Sequence, residues 1–291
     1  MADPTELSAL RGAPAPLNAL NSGGGPEIRV VSLRIHPLKS GSIRRLESSA
    51  VDLSGLRGDR RWMVVDRDGE CVTARSDRAL FTIDAEPLDG DGLRLTTRAR
   101  LSAEAFRPGG PPQPVTVHGR DAGRGIPLDA EAQELVRATL DRADVTIVWS
   151  PDPAERRLNP DFSREGDHTA YADGYPVTVA SLASLRELSR LAGEDIPVDR
   201  FRPNIVVDGD LAPFAEEQWT RLTIGDVPFR VAKGVDRCSM TLIDPATLAT
   251  GREPIRSLSQ HRKRDGKTWF CIHLIPDAAG HLSVGERVTP A

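Results

Sequence analysis

From Ile28 onward, apolar and polar residues alternate in short runs: IRVVSLRIHPL (28–38), LESSAVDLSGL (46–56), RWMVVDRDGECVTAR (61–75), GLRLTTRARL (92–101) and PVTVHGR (114–120). Alternation over this length is what a strand with one buried face needs, so strands are expected to dominate up to about residue 120. Asp66-Arg67-Asp68-Gly69, between two such runs, reads as a hairpin turn in which Gly69 is free to take a positive φ. DAEAQELVRATLDR (129–142) changes to helical spacing, with Leu135, Val136 and Leu140 on one face, and VTIVWS (145–150) returns to strand.

The pattern then lapses. Residues 151–170 (PDPAERRLNPDFSREGDHTA) are polar and hold three prolines, and predict a long surface loop and domain joint. Beyond it lie an expected strand over 175–180, a helix over 182–192 with leucines at 182, 185, 188 and 191, and strands near 203–208, 221–232 and 236–243. Ser184 precedes Glu187 at capping-box spacing, while Ser181 could cap one turn earlier. The last stretch, 252–291, predicts a basic segment and two strands. Residues 1–26, rich in Ala, Pro and Gly and without apolar periodicity, predict a disordered leader. The expected fold is α+β and β-rich, divided as 1–26, 27–150, a linker at 151–170, and 171–291, without the strand–helix alternation of a Rossmann fold.

Composition narrows the function. A net charge of −4 over 291 residues gives no field for a polyanion, so nucleic acid is not an expected partner. No apolar run approaches a membrane span, and the leader fits neither a signal peptide nor a presequence, so the expected location is cytoplasmic. The three cysteines, Cys71, Cys238 and Cys271, are too scattered for a disulfide framework or a CxxC knuckle. Lysine is rare, and most of the positive charge is arginine.

Several segments combine charge with turn chemistry. In His36-Pro37-Leu38-Lys39-Ser40-Gly41, Pro37 ends a strand and presents Lys39 and Ser40, either to an anion or only to solvent. Gly58-Asp59-Arg60-Arg61-Trp62 and Thr73-Ala74-Arg75 bracket the hairpin, where guanidinium groups suit a phosphate or heterocycle but equally an internal Asp59 pair. Tyr171-Ala172-Asp173-Gly174-Tyr175-Pro176 offers a carboxylate beside a backbone open to close approach, or a plain turn. Arg202-Pro203-Asn204 places Arg202 and Asn204 on one face of a strand. Asp236-Arg237-Cys238-Ser239 is read as strand, its thiol next to a cation and open to either a reactive or a packing role.

In this order, HPLKS (36–40), GDRRW (58–62), TAR (73–75), YADGYP (171–176), FRPN (201–204), DRC (236–238) and DP (244–245) resemble the MOSC family. The resemblance is to its two-part branch, which includes the mitochondrial amidoxime-reducing components and bacterial relatives, and it spans about 27–290. It implies a smaller β-rich MOSC N-terminal domain followed by a MOSC-type β-barrel domain, and a molybdenum–molybdopterin cofactor whose metal is held by Cys238. It further implies that Lys39, Ser40, Arg60, Arg202 and Asn204 hold the phosphate and pterin. Gly174 and Tyr175 would contact the cofactor through backbone, Asp236 and Arg237 would flank the metal, and Asp173 would face the substrate. Gly174 and Tyr175 stand where relatives often carry Thr or Ser, so hydroxyl contacts are not expected there.

The activity implied is reduction of small N-oxygenated compounds, with Cys238, Asp173 and Arg237 nearest the chemistry. Electrons would come from a separate donor protein of flavin, haem or iron–sulfur type. Two other readings are a sulfur carrier using a Cys238 persulfide and a cofactor carrier without turnover.

Overall fold

The computed structural model describes residues 27–106 and 110–291, and the leader expected over 1–26 lies outside the described residues. In chain order the strands are β1 (Ile28–Ile35), β2 (Arg44–Leu46), β3 (Ser48–Asp52), β4 (Gly55–Leu56), β5 (Trp62–Val65), β6 (Ile83–Leu88), β7 (Gly92–Thr97), β8 (Ser102–Ala105), β9 (Gln113–Val117), β10 (Arg120–Pro127) and β11 (Thr146–Trp149). They continue as β12 (Val177–Ser181), β13 (Ile205–Asp208), β14 (Arg221–Ile224), β15 (Val227–Asp236), β16 (Lys263–Arg264), β17 (Lys267–Pro276), β18 (Gly280–Ser283) and β19 (Arg287–Pro290). Helices α1 (Ala130–Leu140), α2 (Leu182–Ala192) and α3 (Ile255–His261) complete an α+β, β-rich fold.

The large sheet runs β12-β13-β1-β19-β14-β15-β17, and β17 pairs back onto β12, so these seven strands close a barrel. Closure leaves no free edge along that path. The strands turn Val30, Leu33, Val177, Val179, Ile205, Val207, Leu222, Ile224, Phe229, Ile272 and Leu274 into one core. Each such side chain, fully buried, contributes about 1.5–3 kcal/mol. A second core lies under α2 and α3, built from Ala180, Leu188, Phe201, Leu258, Phe270 and Cys271. β12 is therefore covered on both faces and buried at every position, with Thr178 and Ser181 as its only polar side chains.

The other sheets are smaller. β5-β11-β10-β9 and β6-β7-β8 pack with α1 around Leu80, Phe81, Leu93, Leu95, Val136 and Ile147. β18-β3-β4 pairs a strand from the chain's end with two from its beginning. β1 likewise lies between β13 and β19, so residues assigned by sequence to 27–150 hydrogen-bond across the 151–170 segment. That segment carries short 3₁₀ turns, as a loop should, yet Arg156 and Leu158 are buried rather than on the surface.

α2 occupies the predicted residues. Ser181 is its N-cap, accepting from Ser184 N, and Gly193 ends it with φ +72°. Ser184, the other capping candidate, instead donates from its hydroxyl to Glu216 and accepts from Phe214 N.

Two expectations for the C-terminal part fail. The strand over 236–243 stops at Asp236, and Ser239–Leu242 forms a 3₁₀ turn with Cys238 at its N-cap. Arg237 N still donates to the Thr268 carbonyl at 2.8 Å, and the chain then turns away, its Cys238 carbonyl bonded by Thr241 N and Oγ1. α3 was not expected at all, because it offers only Ile255 and Leu258 as apolar positions.

Candidate functional site

One cleft collects the residues named from the sequence. It is lined by Lys39 and Ser40 after β1, by Arg60 before β5, by Asp173, Gly174 and Tyr175 before β12, by Arg202 before β13, and by Asp236, Arg237 and Cys238 at the end of β15 and just beyond it. Loops at the ends of these strands bring together segments far apart in the chain. Ser40, Arg60 and Arg202 all sit in the left-handed region, at φ +65°, +50° and +51°. For residues with a Cβ this costs roughly 1–3 kcal/mol each and clusters at functional sites. The backbone there is set to aim side chains rather than to minimise its own energy.

Arg202 is the most demanding group. Both of its Nη atoms are buried without a hydrogen-bond partner among the described residues, and the guanidinium lies 5.3 Å over the Phe81 ring. Burial, with Arg60 adding repulsion, pushes it down to about 9, so it remains a cation at neutral pH. A buried cation without an anion is costly, and this wall is built to receive one. Arg60 is held by Asp59 and by Asn204 Oδ1 at 3.3 Å. Burial opposes ionisation of Asp59, but Arg60 and His36 outweigh it and hold the carboxyl at about 2.

Asn204 does not line the cleft. It is fully buried, accepts from Thr178 N at 3.1 Å and donates to the Arg34 carbonyl at 3.2 Å, tying β12 to β1 while steadying Arg60. Asn204→Ala should orphan both backbone groups and destabilise the fold by about 2–5 kcal/mol, read as a drop in chemical-denaturation midpoint. An unchanged midpoint would remove it from this role.

Lys39 is buried but not free. Its Nζ donates to the Tyr171 carbonyl at 2.8 Å and to Asp173 Oδ1, and desolvation lowers its pKa despite the Asp173 charge. Arg156, from the segment read as a linker, donates to the Ala170 carbonyl at 2.6 Å and so shapes the same turn. Around the thiols the contrast is sharp: Cys238 is exposed in the cleft, whereas Cys271 is buried and pushed up to about 12 by desolvation. Arg237 beside Cys238 is braced by donating to the Phe201 carbonyl at 2.9 Å.

Five cleft residues escaped the sequence assignment: Thr178, Arg200, Val235, Met240 and His273. His273 lies inside the apolar run of β17, where alternation gives no sign of a polar site. Cys271, at φ +74°, places Phe270 and Cys271 in the same core, and the bulges nearby let His273 reach the cleft. Desolvation and the charges of Arg237, Lys233 and Arg60 hold its imidazole at about 3, hence neutral. Thr73 and Arg75, quoted only as part of a motif, also line the cleft.

Comparison with known proteins agrees with this layout. Residues 27–140 match the MOSC N-terminal beta barrel domain and residues 166–289 the MOSC domain. Mitochondrial amidoxime-reducing component 1 of Homo sapiens is 31% identical over 284 residues, covering 89% of this chain and 82% of the relative. The chain belongs to the MOSC family.

Other relatives of this MOSC protein are amidoxime-reducing component 1 of Danio rerio, 30% identical over 82% of this chain and 76% of its own, and component 2 of Homo sapiens, 29% identical over 89% and 82%. Among the described residues of the MOSC protein, no helix is long and apolar enough to cross a membrane.

Proposed function

We propose that this MOSC protein binds a molybdenum–molybdopterin cofactor in the cleft and reduces small N-oxygenated compounds with electrons from a separate donor protein. The observation that carries the reading is Arg202, whose two unpartnered nitrogens sit in the same cleft as an exposed thiol flanked by Arg237. An anionic group with a soft metal suits that pairing, and the names of the relatives give the substrate class.

Cys238 would ligate the metal, while Lys39, Ser40, Arg60 and Arg202 would hold phosphate and pterin, with Asn204 acting through Arg60. When bound, the cofactor supplies the two-electron chemistry of N–O cleavage. The remaining work belongs to side chains. A Cβ at Gly174 would sit in ordinary contact with His273 Nε2, 3.6 Å away, and its absence widens the cleft by that one group. Tyr175 and His273, with ring centroids 5.1 Å apart, form the neutral part of the wall. Asp236 and Arg237 flank the thiol, and Asp173 faces incoming substrate.

The test is composition. Protein produced in a cofactor-competent host should contain stoichiometric molybdenum and pterin and reduce benzamidoxime or N-hydroxycytosine with a chemical electron donor. Metal-free protein carrying a sulfane sulfur on Cys238 would replace this reading with sulfur transfer, and bound cofactor without turnover would make the protein a carrier.

A further inference from the structure

His118 lies outside every motif considered so far, in the turn between β9 and β10, with φ +54°. Its backbone N donates to Glu70 Oε1 at 2.8 Å, and about a third of its side chain reaches solvent. Its Nε2 is 2.9 Å from Asp173 Oδ1, the same oxygen that accepts from the buried Lys39. Asp173 thus has the cleft on one side and an imidazole at the surface on the other.

The groups facing His118 come from three places. Glu70, Cys71 and Arg75 belong to the hairpin: Sγ is 3.9 Å and Arg75 Nη2 3.1 Å from Nδ1. Asp173 comes from the turn before β12, and Lys39 stands behind it. Glu70, Cys71 and His118 place metal-type ligand atoms within 4.8 Å of one another. A cation site is nevertheless disfavoured. Arg75 occupies the approach, and Glu70 already accepts from Thr116 Oγ1, Gly119 N, His118 N and Cys71 Sγ.

We propose that His118 is the proton entry of the cleft, acting through Asp173 on the oxygen of the bound substrate. The inference rests on the reductase reading. Reduction of an N–OH group breaks the N–O bond, forms an N–H bond and releases water, consuming two electrons from the donor protein and two protons. Each proton passes from imidazolium Nε2 to the Asp173 carboxylate and on to the substrate, and solvent reprotonates the imidazole. Hydrogen bonds to Asp173 and Cys71 outweigh desolvation and raise His118 to about 9, so the proton is present at neutral pH. Desolvation works against ionisation of Asp173, but Lys39 and His118 hold it well below the usual carboxylate range, so it passes a proton on rather than storing it.

His118 is a positioning and relay residue, and its test needs more than lost activity. In the full-length loaded protein, imidazole NMR should titrate His118 near pH 9, falling toward its ordinary value of 6.5 in Asp173→Asn. His118→Gln should lower kcat about 100-fold with KM nearly unchanged, and should remove the fall in rate above about pH 9. Added imidazole should restore part of the rate of His118→Gly. A wild-type protein that reduces no N-oxygenated compound would overturn the functional reading and the relay with it. An active wild type whose His118→Gln form keeps its kcat and pH profile, or whose imidazole titrates at its ordinary value, would overturn the relay alone.

Discussion

Cys238→Ala should purify without molybdenum and with reductase activity at background, while its thermal unfolding stays close to wild type. The thiol is exposed at the N-cap of a short 3₁₀ turn, and that turn is held by bonds to the Cys238 carbonyl rather than to its sulfur. Losing the side chain therefore removes a ligand and little else. The other two cysteines are the controls. Cys271→Ala opens space in the core with Phe270 and Phe201 and should cost about 1 kcal/mol of stability with full metal content. Cys71→Ala, in the half-buried hairpin, should change stability by less than about 0.5 kcal/mol and leave the metal in place. Equal metal loss in all three variants, measured by elemental analysis of purified protein, would defeat the assignment of Cys238.

The second large effect runs in opposite directions for binding and stability. In cofactor-free protein, Arg202→Met should be neutral or stabilising, by up to about 1–4 kcal/mol, because it replaces a buried cation whose Nη atoms lack partners with a flexible apolar side chain over Phe81. In the same variant, cofactor content should fall steeply, since the anion loses a buried cation whose Nη atoms have no other partner among the described residues. Parallel melting curves and pterin assays separate the two. A destabilised variant with normal pterin content would mean that Arg202 serves the fold and not the ligand.

Much of this arrangement could be read before the structure. α1, α2 and the hairpin at Gly69 follow from periodicity and turn residues, and the charged segments do converge, apart from Asn204, on one cleft. The unread parts have physical reasons. A barrel was expected from the family resemblance, but a period-2 pattern shows which face of a strand is buried and not its partner, so neither the pairing of β12 with β17 that closes it nor the insertion of β1 between β13 and β19 was visible. β17 is apolar on both faces, which hid His273. His118 fell inside the alternating run 114–120 and was not singled out, and only the approach of Asp173 gives it chemistry. Lys39 was legible as a lysine presented at a strand's end to an anion, but its burial and its pairing with Asp173 were not.

The place of β1 also bears on how the protein is made. Its neighbours β13 and β19 lie far downstream in the chain, so during synthesis only the short pairing of Leu33–Ile35 with β2 is available to it. The turn carrying Lys39 and Ser40 hangs directly from its end. A chain that stops before β19 lacks the strand that joins β1 to β14, so its barrel cannot close.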